Sequence, residues 1–134
     1  MQISVEGENL KFFLKIINKI SQVKIIDLED FVSLNKLLGN RFIKALEAIH
    51  QNRIKEYFFE GLIGPIFVVV GEEKDYLVIP EADYCSCRAT TLGIKSKKLP
   101  CYHLIACKLS IILGLTERVE AEYEFYDKFM EEFK

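Results

Sequence analysis

The sequence predicts an α+β protein: N-terminal helices, a small antiparallel sheet leading into a cysteine/histidine knuckle and a helix, and a C-terminal acidic helix. Three observations predict it. Up to residue 52 the apolar side chains recur at helical spacing. From 54 to 79 they gather in short β-branched and aromatic runs between turn residues. Then come Tyr84-Cys85-Ser86-Cys87, a loop, and Cys101-Tyr102-His103-Leu104-Ile105-Ala106. At 134 residues a single domain is expected over 1–134. It divides into a helical part at 1–52, strands plus knuckle at 53–114, and an amphipathic helix at 115–134.

Residues 8–21 set Leu10, Phe13, Leu14, Ile17 and Ile20 at helical intervals, and Phe12 and Ile16 widen the apolar face. A helix buried on two sides is expected, with a partner-binding ridge as the alternative. Asp27 suits an N-cap for a helix over Leu28–Leu38, and Glu29 and Asp30 are first-turn acids favoured by the helix dipole. Gly39 ends that helix and Asn40 starts the next, whose buried stripe is Phe42, Ala45, Leu46 and Ile49. His50 has no cysteine or carboxylate pattern around it and is read as a surface residue.

Ile54–Glu60, Ile66–Val70 and Asp75–Ile79 read as strands. The unalternated run Ile66-Phe67-Val68-Val69-Val70 suits a central strand covered on both faces. Pro80 closes the third run. After His103 a helix is expected to about Leu113, stopped by Gly114, with Ile105, Leu109, Ile112 and Leu113 as its core stripe. Cys107 is a spare thiol, read as a small buried apolar residue rather than a replacement ligand. In the last segment Val119, Tyr123, Tyr126, Met130 and Phe133 form one stripe against six acids. That stripe either packs on the parent domain or docks another chain.

The knuckle carries the chemistry. Cys85 and Cys87 are two apart, so on an extended segment both sulfurs leave by one face. Cys101 and His103 share that spacing, which a regular helix would splay to opposite sides, so the chain must still be turning at Cys101. Pro100 suits such an entry, because a helix start can spare an N–H. Cys85, Cys87, Cys101 and His103 thus make a tetrahedral set for one structural Zn²⁺. Three thiolates, an imidazole and the ion sum to a charge of about −1, which favours nearby N–H donors and cations. The loop supplies Arg88, Lys95, Lys97 and Lys98, read first as solvating the loop and balancing the thiolates, and second as candidate nucleic-acid contacts. Tyr84 and Tyr102 flank the ligands, placed for packing or for stacking on unpaired bases.

Cys-x-Cys, a variable loop and Cys-x-His resemble the SWIM zinc-finger family. The run Cys101 to Ala106 resembles the CxHxxA ending of the small Shu-complex SWIM subunits, with the likeness covering roughly residues 28 to 114. Ala106, three residues after His103, would then let the helix approach the knuckle closely. The resemblance implies a non-catalytic accessory subunit in homologous recombination and DNA repair. Its implied partner is a RecA-family recombinase paralogue, and its implied ligand is single-stranded or branched DNA, bound through the complex. The alternative is a zinc-stabilised protein–protein interaction module with no DNA contact of its own.

Bulk properties narrow the choice. The net charge of −2 lacks the basic surplus of a protein that grips nucleic acid alone. No apolar run reaches the roughly 20 residues that cross a bilayer, so no membrane is expected. Reduced thiols point inside the cell: cytoplasmic in a prokaryote, nuclear in a eukaryote. No enzyme is expected either. A catalytic zinc keeps a water position, which four protein ligands close. A zinc deaminase needs Pro-Cys-x-x-Cys, whereas Leu stands at 104.

Overall fold

The computed structural model of the protein describes residues 5–87 and 99–133. Within them are five helices and one five-stranded sheet: α1 (Val5–Val23), α2 (Leu28–Leu38), α3 (Asn40–His50), β1 (Ile54–Phe59), β2 (Ile66–Val70), β3 (Asp75–Ile79), β4 (Tyr84–Cys85), α4 (Tyr102–Leu113), β5 (Glu117–Ala121) and α5 (Tyr126–Glu131). The α+β class and the run from sheet to knuckle to helix are as expected from the sequence.

Helix boundaries follow local chemistry. Asp27 caps α2 by accepting the Asp30 N–H at 2.8 Å. That bond, followed by the approach of Lys19, holds its carboxyl below the usual range, although desolvation opposes it. Lys19 of α1 also reaches Asp30 at 3.1 Å, tying the first two helices together. Gly39 takes φ +59° between α2 and α3, and Gly114 takes φ +68° after α4, conformations that cost glycine little. In α3, Phe42, Ala45 and Ala48 are buried, Leu46 and Ile49 are partly so, and His50 is exposed. In α1 the inward face is Phe13, Ile16, Ile17 and Ile20, while Phe12 and Leu14 stay exposed. The second buried side expected for this helix is therefore absent: α2 and α4 cover one broad face only.

The sheet order is β4-β3-β2-β1-β5, with β2 at the centre. Phe67, Val68 and Val69 are all buried, so β2 is covered on both faces. Ile54, Phe67, Val69, Val78 and Cys85 share the face that packs on the helices. Between those layers runs α4, apolar on nearly every side, which is what burial on most faces demands. Leu104, Ile105, Ala106, Cys107 and Leu109 of that helix are fully buried.

The C-terminal segment corrects the expectation of a helix at 115–134. Glu117–Ala121 is instead a strand paired parallel to β1, Lys55 to Glu117 through Phe59 to Ala121, so the sheet is mixed rather than antiparallel. Only Tyr126–Glu131 is α-helical, after a short 3₁₀ turn at Tyr123–Phe125. Helix propensity in this glutamate-rich run yields to tertiary context: β1 offers an open edge, and Val119 and Ala121 alternate with exposed neighbours at the period of a strand. Phe129 of α5 then covers the second face of the sheet, 4.7 Å from the Tyr57 ring and 4.9 Å from Phe59.

Candidate metal centre

The centre is assembled from a sheet edge and a helix start. β4 pairs with β3 through Val78 to Cys85. The next residue, Ser86, is locked to Leu77 from both sides: its N–H donates to the Leu77 carbonyl at 2.9 Å, and its hydroxyl accepts the Leu77 N–H at 2.9 Å. That double tie turns the chain between Cys85 and Cys87, and the Cys87 N–H then donates to the Cys85 sulfur at 3.5 Å. On the other side Cys101 is extended, with φ −69° and ψ 166°, and the helix begins at Tyr102. Arg41 of α3 donates to the carbonyl oxygens of Leu99 at 3.1 Å and Pro100 at 3.4 Å, fixing the segment that delivers Cys101.

Cys85, Cys87, Cys101 and His103 converge, their ligand atoms all within 4.8 Å of one another, and all four residues are buried. A tetrahedral zinc with sulfur at 2.3 Å needs ligand atoms about 3.8 Å apart, so small side-chain adjustments suffice. The set fits a metal on other grounds too. Nδ1 of His103 is buried without a hydrogen-bond partner, which a buried imidazole nitrogen does not tolerate cheaply. The Cys85 thiol is pushed far above its ordinary range, first by its hydrogen bond with Cys101, then by that with Cys87 and by burial. Burial pulls the His103 imidazole down, but its bonds with Cys101 and Cys87 outweigh this and raise it. Sulfurs packed this closely resist shared ionisation unless a cation balances them, and a divalent ion supplies that charge. These four residues could hold one metal ion.

Aromatic rings clamp the imidazole. Tyr76 of β3 stacks on His103 with centroids 4.1 Å apart, and Tyr102 lies 4.0 Å away at 40°. The ammonium groups of Lys74 and Lys44 lie 5.7 and 5.8 Å from those two rings. Tyr102 therefore packs beside the ligand, and Tyr84 is half-buried on the edge strand. Ala106 is fully buried one turn below His103, and Cys107 is fully buried outside the cluster. Desolvation pushes the Cys107 thiol up to about 12. Arg88, Lys95, Lys97 and Lys98 lie outside the described residues.

Sequence reasoning missed Tyr76, Ser86 and Arg41. Ser86 carried a signal in its place between two ligands. Tyr76 and Arg41 carried none, since they reach the centre from a neighbouring strand and from a helix 58 residues before the carbonyl it binds.

No protein-family model matches the chain, and no solved structure matches it significantly. An uncharacterized protein of Archaeoglobus fulgidus is 34% identical over 88 residues, which cover 66% of this chain and 69% of that protein. A Dictyostelium discoideum protein described as a zinc finger SWIM domain-containing protein 7 homolog is 28% identical over 116 residues, covering 84% of this chain and 74% of that protein. The latter similarity, together with the Cys/His cluster, fits a SWIM-type zinc finger and points to zinc as the ion.

Proposed function

We propose, for a chain that belongs to the same family as the Archaeoglobus fulgidus protein, a structural-zinc SWIM protein that acts as a non-catalytic accessory subunit in homologous recombination and DNA repair. It pairs with a RecA-family recombinase paralogue, and the pair binds single-stranded or branched DNA. The observation that carries the zinc part is the buried convergence of three sulfurs and an imidazole, the number and type of ligands that a closed structural zinc uses. Support for the recombination part is the Cys-x-Cys and Cys-x-His-x-x-Ala pattern, together with the SWIM description of the Dictyostelium relative. A net charge of −2 favours DNA contact through a complex over contact by this chain alone.

Affinity purification from the native cell tests the pairing. A RecA-like ATPase should come along, and the purified complex should bind single-stranded DNA with a steep salt dependence while this chain alone binds weakly. Recovery of stable complexes that contain no ATPase refutes it. The net negative charge also favours a second reading, a protein-binding zinc module with no DNA contact. Reversing the charges at Lys95, Lys97 and Lys98 separates the two: DNA binding by the complex falls under the first and is unchanged under the second.

A further inference from the structure

At the opposite end of the sheet from the Cys/His cluster, the chain ends of β1 and β5 border two adjoining shallow, open clefts. One, of about 670 Å³, is lined by Glu60, Gly61, Leu62, Glu122, Tyr123 and Glu124. The other, of about 410 Å³, is lined by Phe58, Phe59, Glu120 and Ala121 and shares Glu60 and Glu122 with the first. β4 and β5 are the two outer strands, so four inter-strand steps, about 19 Å, separate this feature from Cys85.

The apolar side chains here are held out in solvent by ordered backbone. Gly61 and Gly64, at φ +88° and +87°, shape the turn that projects Leu62 and Ile63, and the Leu62 N–H bonds the Phe59 carbonyl at 3.1 Å. Ile63 is fully exposed, and Tyr123 and Phe125 in the following 3₁₀ turn are 56% and 54% exposed. The Glu60 N–H donates to the Ala121 carbonyl at 3.0 Å, which joins the turn to the end of β5. Four glutamates, Glu60, Glu120, Glu122 and Glu124, line the two clefts, and no lysine or arginine lines either cleft among the described residues. Arg118, on the Phe58 ring, pairs with Glu120 from outside.

We propose that this double cleft docks a basic segment of another protein, one that carries apolar side chains between its lysines or arginines. The charge decides the sign of the partner, and the exposed Leu62 and Tyr123 that line the first cleft, with the exposed Ile63 and Phe125 just outside it along the chain, decide its amphipathic character. A metal ion would use the carboxylates but leave those four side chains without purpose. Rim charges of one sign steer encounter, and burial of the aromatic and aliphatic anchors supplies the affinity. The inference is independent of the metal centre and of the recombination assignment.

The test uses the full chain with zinc bound and a labelled peptide of alternating lysine and leucine. Lysine/serine and glutamate/leucine peptides of equal length serve as comparisons. Amide shifts caused by the lysine/leucine peptide should map to residues 60–63 and 120–125. Glu60→Lys with Glu122→Lys, and separately Leu62→Ser with Tyr123→Ser, should each weaken binding by about tenfold or more while thermal stability is kept. Shifts that map elsewhere overturn the proposal, as does equally tight binding of the lysine/serine or the glutamate/leucine peptide. Two further results also overturn it: Mg²⁺ or Ca²⁺ alone reproducing the shifts, which marks a cation site, or self-association abolished by the same variants, which makes a second copy the occupant. The wild-type map stands even where a double variant fails to fold.

Discussion

Tyr76 stacks on His103 with ring centroids 4.1 Å apart and planes inclined at 28°, so a residue in the third strand braces a candidate metal ligand in the fourth helix. The brace depends in turn on Gly71: a Cβ there would stand 2.5 Å from the Lys74 carbonyl oxygen and 3.0 Å from the Tyr76 ring. Gly71→Ala should therefore destabilise the protein by about 1–3 kcal/mol, measured by urea unfolding. Tyr76→Ala should keep the fold and release zinc to a chelator about tenfold more readily. Zinc retention unchanged in Tyr76→Ala would remove the brace from the account.

Loss of a ligand should cost the metal but not the whole fold. Zinc contributes about 10 kcal/mol or more to isolated finger peptides, which have no other core. Here the ligands belong to one apolar core that extends well beyond them, through α1 to α4 and β1 to β3. Cys87→Ala and His103→Ala should each abolish stoichiometric zinc and raise amide exchange around 84–87 and 99–106, with exchange in β1 and β2 kept slow. Native exchange in the knuckle of either variant would contradict this.

Cys107 makes stability depend on alkaline pH. Its thiol is raised from near 9 to about 12 by burial, so the folded state favours the neutral form. That contribution is fully present below pH 9 and is lost as pH climbs toward 12. Three pH units correspond to about 4 kcal/mol as an upper figure. Unfolding free energy should fall over this window, and Cys107→Ala should flatten the fall while lowering stability at neutral pH by about 1 kcal/mol. An equal slope in the variant would assign the dependence to other groups.

Ala106 is a small residue of the core cluster. It is fully buried one turn after His103. Ala106→Thr should cost about 1–3 kcal/mol through overpacking and an added hydroxyl, with zinc still bound. Under the proposed pairing, partner binding should weaken as well, because the helix moves off the knuckle. Calorimetry with metal analysis separates this outcome from metal loss.

Phe129 closes the second face of the sheet over Tyr57 and Phe59. It is only partly buried, so Phe129→Ala should cost about 2 kcal/mol, below the range for a fully buried phenylalanine. Exchange in β5 should rise while the zinc site holds. Unaltered exchange in β5 would show that the strand needs no such cover.

The sequence by itself determined what rests on local chemistry. Asp27, Gly39 and Gly114 sit at helix ends because caps need an acceptor or a positive φ. The apolar run Ile66–Val70 became the central strand. The spacing of Cys85, Cys87, Cys101 and His103 identified four side chains that the structure gathers. Tertiary structure alone decided the rest. Glu117–Ala121 carries helix formers, yet it became a strand because the edge of β1 lay free beside it. Tyr76 and Arg41 support the candidate metal centre through contacts across the fold, and no local pattern encodes a contact whose partner is distant in sequence. Propensity and spacing act within a few residues, whereas burial and edge pairing depend on what the remainder of the chain brings alongside.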